Sequence, residues 1–149
     1  MHEFEQLEDA VIAQLESLKA VGLRTLEPYA GQIEVDELEE ITFRFPCIYV
    51  IAPGLTNVVA NSVDECRLEL TLIVGDRHLR GAVQAARGDV ASPGVYDLLQ
   101  SARKVLHRTR IINGWTPLYL KSEAALAYMP LDGICLYTAG YETKSMRNL

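Results

Sequence analysis

The stretch Glu65-Cys66-Arg67-Leu68-Glu69-Leu70-Thr71-Leu72-Ile73-Val74 carries the clearest structural pattern of the 149-residue chain. Apolar and polar side chains alternate from Cys66 to Leu72, which predicts a β-strand with one buried face and one solvated face. Ile73 breaks the alternation, and we therefore expect the strand to be covered on both faces towards its end. The remaining elements are predicted from patterns on either side of this strand.

Further strands are predicted before and after this stretch. Residues 47–52 form a run rich in β-branched side chains directly after Pro46, which is typical of a buried strand. The other predicted segments are a short extended segment at 23–33, a short helix at 35–41, and two strands at 117–128 and 133–143 that are joined as a hairpin.

Two long helices are predicted, at about 4–19 and 93–108. In both, apolar residues recur at spacings of three and four, which places them on one helical face. Ser92 is the expected N-cap of the second helix, with Pro93 at its first helical position. Residues 75–92, which are rich in Gly and Ala, are expected to form a long surface loop with about one turn of helix.

These elements predict one domain of class α+β, in which a mainly antiparallel sheet of about four strands is packed by two long helices. Apolar residues make up 49% of the chain and charged residues 23%, which is typical of a globular protein. The cysteines Cys47, Cys66 and Cys135 lie far apart in apolar stretches and are expected to be buried thiols. No apolar run approaches the ~18 residues that a membrane span needs, so no membrane association is expected.

No residue pattern in the chain indicates catalysis, a cofactor or a metal. The motifs GxGxxG, GxxxxGK[ST], HExxH, GxSxG and CxxC are all missing. His78 has no cysteine or carboxylate at metal-ligand spacing, and we interpret it as a solvated loop residue. The carboxylates of Asp36-Glu37 and Glu39-Glu40 fit the outer face of a short helix better than a paired-carboxylate site. We therefore predict no enzyme activity, no cofactor and no metal ion.

Charge is divided unevenly along the chain, whose formal net charge is −6. Residues 1–42 carry a net charge of −9 and residues 76–110 a net charge of +4. This segregation favours contacts with a partner, and a second copy of the chain would match both segments. The alternative is that both are solvated faces without a partner. The candidate interface residues are Glu8, Asp36 and Glu39 on the acidic side and Arg77, Arg80, Arg87, Arg103, Lys104 and Arg108 on the basic side, with Trp115 fitting an interface and the core equally well.

The order of several segments resembles the small tail proteins of Mu-like phages and prophages, a family regarded as tail terminators. The resemblance runs over nearly the whole chain and rests on Leu7–Ala13, Pro28–Gly31, Phe45–Val50, Leu79-Arg80-Gly81, Gly94–Leu99 and Leu136–Thr143. The most specific part is Leu79-Arg80-Gly81 followed, after a spacer, by Gly94–Leu99.

The resemblance implies a non-enzymatic structural virion protein. Such a protein would form a ring, expected to be a hexamer, at the head-proximal end of a contractile tail, stop polymerisation of tube and sheath, and offer a surface to the neck. The implied partners are other copies of the chain, tail tube and sheath proteins, and neck proteins. Assembly would take place in the host cytoplasm, and the genome would pass through the ring without sequence-specific binding.

Three other functions remain open at this point. The first is a head–tail connector of the neck, which joins rather than terminates. The second is a small ligand-binding or enzymatic α+β domain with a pocket between sheet and helices. The third is a nucleic-acid-binding regulator that uses the basic segment, although no aromatic side chains are interleaved with the basic ones as a stacking platform would require.

Overall fold

The computed structural model describes residues 1–33, 44–90 and 92–147. The helices are α1 (Glu3–Leu15), which continues as a 3₁₀ helix (Glu16–Val21), α2 (Ala82–Arg87) and α3 (Gly94–Leu106). The strands are β1 (Thr25–Pro28), β2 (Cys47–Ile51), β3 (Leu55–Ala60), β4 (Val63–Arg77), β5 (Tyr119–Met129) and β6 (Ile134–Met146). The class is α+β, as the sequence predicts, but the described residues hold six strands rather than about four. The short helix predicted at 35–41 lies outside the described residues.

The strands form one mixed sheet with β4 at its centre. The order is β1-β2-β4-β6-β5, and β3 also pairs with β4. β1 pairs parallel with β2, whereas the other pairings are antiparallel. One row of paired residues crosses the sheet through Ile51, Thr71, Gly140 and Ser122. This row shows which positions on the two sides of the sheet lie at the same height along the strands.

The sequence patterns did not predict β3, which follows β2 along the same edge of β4. Ile51 pairs with Thr71 and Leu55 pairs with Leu68, so the β2–β3 side carries one residue more than the β4 side. This extra residue forms a bulge in the connection between the two strands. Asn61, with φ 55°, then turns the chain from β3 into β4. An asparagine at a two-residue turn between two apolar runs was the available signal for this hairpin.

The main core lies between the sheet and a layer of helices. β4 contributes alternate buried residues, namely Cys66, Leu68, Leu70, Leu72 and Val74. The helices contribute Leu7, Val11 and Leu15 from α1 and Val95, Leu98 and Ala102 from α3. The alternation predicted from the sequence is therefore confirmed, and the three cysteines are buried and free, as expected.

A second, smaller cluster of buried side chains covers the opposite face of the sheet. Its members are Phe45, Cys47, Tyr49, Ile73, Ile134 and Leu136. The position of Ile73 confirms that β4 is covered on both faces towards its end. Gly75 lies on this face, and a Cβ there would be 2.7 Å from Leu136 Cδ2 and 2.9 Å from Phe45 Cε1. The missing side chain at Gly75 allows its two neighbours to pack against the backbone.

The two predicted long helices are shorter than expected. α1 ends at Leu15, and the chain continues as 3₁₀ helix until Gly22, whose φ of 108° ends it. α3 runs from Gly94 to Leu106, within the predicted range of 93–108. The 3₁₀ segment after α1 also reaches the main core, through the buried Leu18.

About half of the loop predicted at 75–92 is regular secondary structure. β4 continues to Arg77, and α2 follows after a short turn. The alanines that we interpreted as loop residues pack closely, since Ala82, Ala85 and Ala86 are buried in α2. The alanines are buried because their small side chains allow α2 to approach α3 and the sheet. The prediction of a long surface loop was wrong for this reason.

Asp76 joins the end of the central strand to the start of α3. Its side chain is buried, and Oδ2 accepts hydrogen bonds from the Ser92 hydroxyl at 2.7 Å and the Gly94 amide at 3.2 Å. Oδ1 accepts from the Arg77 amide at 2.7 Å. Pro93 is the N-cap and supplies no side-chain hydrogen bond, so the Asp76 carboxylate caps α3 where the helix dipole favours negative charge. The prediction that Ser92 caps the helix was wrong, because its hydroxyl is used by Asp76.

We expect Gly75→Ala to lower the free energy of unfolding by about 1–3 kcal/mol, because the added methyl overpacks the second cluster. The measurement is urea-induced unfolding followed by circular dichroism. Gly54→Ala is the matched control, since its Cβ would lie 3.8 Å from Glu69 Oε2, an ordinary contact. Equal effects of the two substitutions would contradict the close packing described at Gly75.

The stability of the protein should depend on the protonation of Asp76. Burial raises the pKa of this carboxyl, and the hydrogen bonds from Ser92, Arg77 and Gly94 offset that increase only in part. Between the unfolded value near 3.9 and the raised folded value, the native state binds more protons than the unfolded state. The contribution of Asp76 to stability therefore falls as pH rises through this window and is constant above it.

Asp76→Asn tests this pH dependence. The amide can accept with only one atom and leaves a buried donor unsatisfied, so we expect a loss of about 1–3 kcal/mol at neutral pH. The difference in unfolding free energy between wild type and variant should increase as pH falls towards 4. A difference that stays constant or shrinks on acidification would show that the folded pKa is not raised.

Candidate subunit interface

The basic candidate residues separate into two surfaces. Arg103 and Lys104 are exposed on the last turns of α3. Arg103 Nε lies 2.7 Å from Glu123 Oε1 on β5, and about half of the arginine side chain remains exposed. Arg108, which follows α3 with φ 63°, is exposed and donates its amide hydrogen to the Leu118 carbonyl. We call Arg103, Lys104 and the adjacent length of β5 the α3–β5 face.

Several contacts hold α3 along β5. The Tyr96 hydroxyl lies 3.3 Å from that of Tyr128, and His107 Nδ1 accepts the Leu120 amide hydrogen at 2.9 Å. Tyr96, Arg103 and His107 are separated by seven and four residues, so they form one stripe of the helix that faces β5. The α3–β5 face is therefore a rigid combination of a helix and a strand.

One acidic candidate residue, Glu8, is described, and it lies on α1. Glu8 Oε1 accepts the Ala52 amide hydrogen at 3.2 Å, in the connection between β2 and β3. Glu5 and Asp9 are exposed beside it, one turn apart on the solvent side of the helix. We call these three carboxylates the α1 face. The other two acidic candidates, Asp36 and Glu39, lie outside the described residues.

The α1 face and the α3–β5 face belong to two neighbouring helices of one layer. α1 packs on β1 and β2 and also contacts α3, and its Glu3 pairs with Arg147, which follows β6. α3 packs on β4 and β6 and reaches β5 through its side chains. The contact of Glu8 with Ala52 and that of Arg103 with Glu123 lie on either side of the row through Ile51 and Ser122, because β2 and β5 run in opposite directions.

The second basic surface is the end of the sheet where β4 leaves it, which we call the tip. It consists of residues 77–90 and the β5–β6 turn at 130–133. Arg77 Nε donates to the Asp132 carbonyl at 2.9 Å, and the His78 amide donates to the Gly133 carbonyl at 2.9 Å. These two bonds join the segments into one surface. Arg80 and Arg87 are exposed on it.

The tip also exposes large apolar side chains that sequence reasoning missed. Leu79 is 97% exposed and Leu131 102%, and both line a shallow depression of about 160 Å³ together with Arg77 and His78. Val83 and Val90 are exposed nearby in sequence. Single exposed apolar side chains are ordinary, but a group of them on one surface marks a contact surface. The sequence signal that could have indicated this surface was the turn around Leu131, because a leucine in such a turn is not expected to be buried.

His78 is part of this ordered surface and not a solvated loop residue. Its Nδ1 accepts the Arg80 amide hydrogen at 3.0 Å, so the proton of the neutral ring lies on Nε2. Nε2 lies 2.6 Å from Asp89 Oδ2, and only 14% of the side chain is exposed. Both ring nitrogens take part in contacts that hold the turn. This structural role accounts for a histidine at this position without any catalytic role.

Three tyrosines fasten α3 to the hairpin near the tip. The hydroxyls of Tyr128 and Tyr137 are 2.6 Å apart, and that of Tyr96 is 3.3 Å from each. Hydrogen bonds from the hydroxyls of Tyr128 and Tyr137 lower the pKa of Tyr96, and donation to Tyr137 and Tyr96 raises the pKa of Tyr128. The three hydroxyls satisfy one another and act as a structural clamp.

Trp115 belongs to the core. It is 3% exposed, and the guanidinium carbon of Arg147 lies 4.9 Å from the centre of its ring. Of the two interpretations that the sequence left equal, the structure therefore favours packing within the chain. A groove of about 380 Å³ beside it is lined by Arg110 and Lys144, among others.

Within residues 1–33, 44–90 and 92–147, no group of three or more His, Cys, Asp or Glu side chains is arranged to hold a metal ion. In the same residues, no helix is long and apolar enough to span a membrane.

Comparisons with known proteins give one family match and a set of structural matches. One of the matching solved structures is a chain of the virion of a native gene transfer agent particle, with a TM-score of 0.61 over 94% of both chains. The identity is 11%, so this match shows the fold alone. No curated protein matches the chain in sequence. The family model described as bacteriophage Mu, Gp37 matches residues 3–134, and the chain therefore belongs to the Gp37 family of bacteriophage Mu.

Proposed function

We propose that this chain is a structural virion protein that terminates a contractile phage tail. It forms a ring, taken here as a hexamer, at the head-proximal end of the tail and stops the addition of tube and sheath subunits. Membership of the bacteriophage Mu Gp37 family supports a phage role. The fold shared with a chain of a gene transfer agent virion supports a place in the particle itself.

The observation that supports the ring is the separation of unlike charge between α1 and α3. A closed ring requires a heterologous contact, in which one surface of a subunit meets a different surface of the next. The exposed Glu5 and Asp9 make the α1 face acidic, and the exposed Arg103 and Lys104 make the α3–β5 face basic. Copies placed side by side therefore bring opposite charges together at each contact.

The tip supplies a different kind of contact, along the tail axis. An exposed ion pair contributes about 0–1 kcal/mol, whereas burying a leucine side chain contributes about 1.5–3 kcal/mol. Leu79 and Leu131 can therefore provide affinity, while Arg77 and Arg80 orient the partner. The partner at this surface is a protein of the tail or of the neck, in the virion at the tail–neck junction.

A non-enzymatic role is supported by how the titratable side chains are used. His78 and Asp76 are both held in hydrogen bonds that fix the fold. The basic candidate side chains are divided between the tip and the α3–β5 face, so within the described residues these candidates form no continuous track for a nucleic acid. The genome would pass through the ring without sequence-specific contact, and the protein acts by stoichiometric binding.

Deleting the gene should yield tails of abnormal and variable length that fail to join heads. Tubes and sheaths grow by adding identical subunits, so their length becomes uncontrolled when no capping ring stops them. The measurement is the distribution of tail lengths by electron microscopy. Tails of normal length that only lack heads would instead identify the protein as a head–tail connector.

The double variant Leu79→Ser, Leu131→Ser should form subunit contacts normally but attach poorly to tails. The change removes apolar area from the tip and leaves the α1 and α3–β5 faces intact. The measurement is the amount of protein that copurifies with tails, with self-association of the purified protein measured in parallel. Val59→Ser on β3 is the control, because this side chain is 76% exposed at the other end of the sheet. Equal losses in both variants would exclude the tip as the attachment surface.

A further inference from the structure

The outer edge of β5 is open along its second half. β5 pairs only with β6 among the described residues, and residues 107–109 cover the start of its other edge through bonds between Arg108 and Leu118 and between Leu118 and Thr109. The Leu120 amide is satisfied by His107. From Ser122 onwards no comparable bonds to the outer edge are formed in the described residues.

The open length has one of the features that protect an edge strand and lacks others: its register with β6 shifts between Leu120 and Ser122 and between Ala125 and Ala127. The run Ala124-Ala125-Leu126-Ala127 has no charged residue and no proline, and Leu126 is 53% exposed. Edge strands are generally protected by lysine, proline or a short length, because their free backbone groups invite pairing with another chain. An uncharged edge beside a helix with exposed cations is therefore suited to a partner whose flanking surface is acidic.

We infer that the α3–β5 face receives the α1 face of a second copy, so that sheets and helix layers of neighbouring subunits continue side by side. The charges argue for this occupant, since Arg103 contacts β5 and is exposed together with Lys104, whereas Glu5 and Asp9 are exposed on α1. The inference rests on the proposed ring and assigns the two surfaces that form it.

Charge exchange tests the assignment. Variant A carries Arg103→Glu and Lys104→Glu, and variant B carries Glu5→Lys and Asp9→Lys. Each alone places like charges at the contact, so self-association measured by sedimentation at low salt should weaken by about tenfold or more. A mixture of A and B should associate again, because the altered face of each matches the altered face of the other.

The matched control is Arg110→Glu with Lys144→Glu, which makes the same change of net charge in the groove beside Trp115. This control should associate like wild type. A chain that carries all four substitutions of A and B should also self-associate, which separates a reversed contact from a misfolded protein. Failure of both the mixture and the four-substitution chain to associate would overturn the inference.

The open edge has its own test. Leu126→Lys places a charge on the uncharged length of β5 and should weaken association, whereas Val59→Lys, at a more exposed position on β3, should not. Equal behaviour of the two variants would remove β5 from the contact. These results are independent of tail length. Tails of normal length after gene deletion would reject the terminator role. If deletion gives abnormal tails but the charge-exchange variants do not associate as expected, only this pair of faces is rejected.

Discussion

The pairing of β4 with its neighbours is the constraint on which both layers of the protein depend. β4 runs for 15 residues and borders β2 and β3 on one edge and β6 on the other. Its alternate side chains reach the helix layer, and Ile73 and Gly75 face the second cluster. Asp76 then ties its end to α3. A change in the register of this strand by one residue would exchange the two faces and remove the support of every other element.

β4 and the cores of both long helices could be predicted because their apolar residues recur at regular spacing and reach the main core. β2 is buried on both faces and could be predicted from its run of β-branched residues. In β3 the described side chains, at 55–59, are exposed or partly buried, so no burial pattern marks this strand. The segment 75–92 failed for the opposite reason: its alanines are buried, but their small size is equally typical of a loop. In both cases the deciding contact comes from a distant part of the chain.

The candidate interface was predictable in composition but not in arrangement. Counting charges identified an acidic and a basic segment, and the structure places the described members on separate surfaces. It also divides the basic residues between the tip and the α3–β5 face, which no spacing along the chain indicates. The open edge of β5 could not be predicted from the sequence at all. Whether a strand is central or at an edge depends on the strand order, and the same run of alanines would be ordinary in the middle of a sheet.

The two kinds of surface suit two kinds of contact. Charged faces orient subunits over distances of about 8–10 Å, but each exposed pair adds little to affinity. Open backbone groups and apolar side chains add affinity only after the partner is in register. The α3–β5 face carries both charged side chains and an open strand edge. A subunit with such a face can remain monomeric at low concentration and associate with other subunits once their local concentration is high. The tail end supplies that local concentration, so a ring that forms there needs no strong pairing of free subunits.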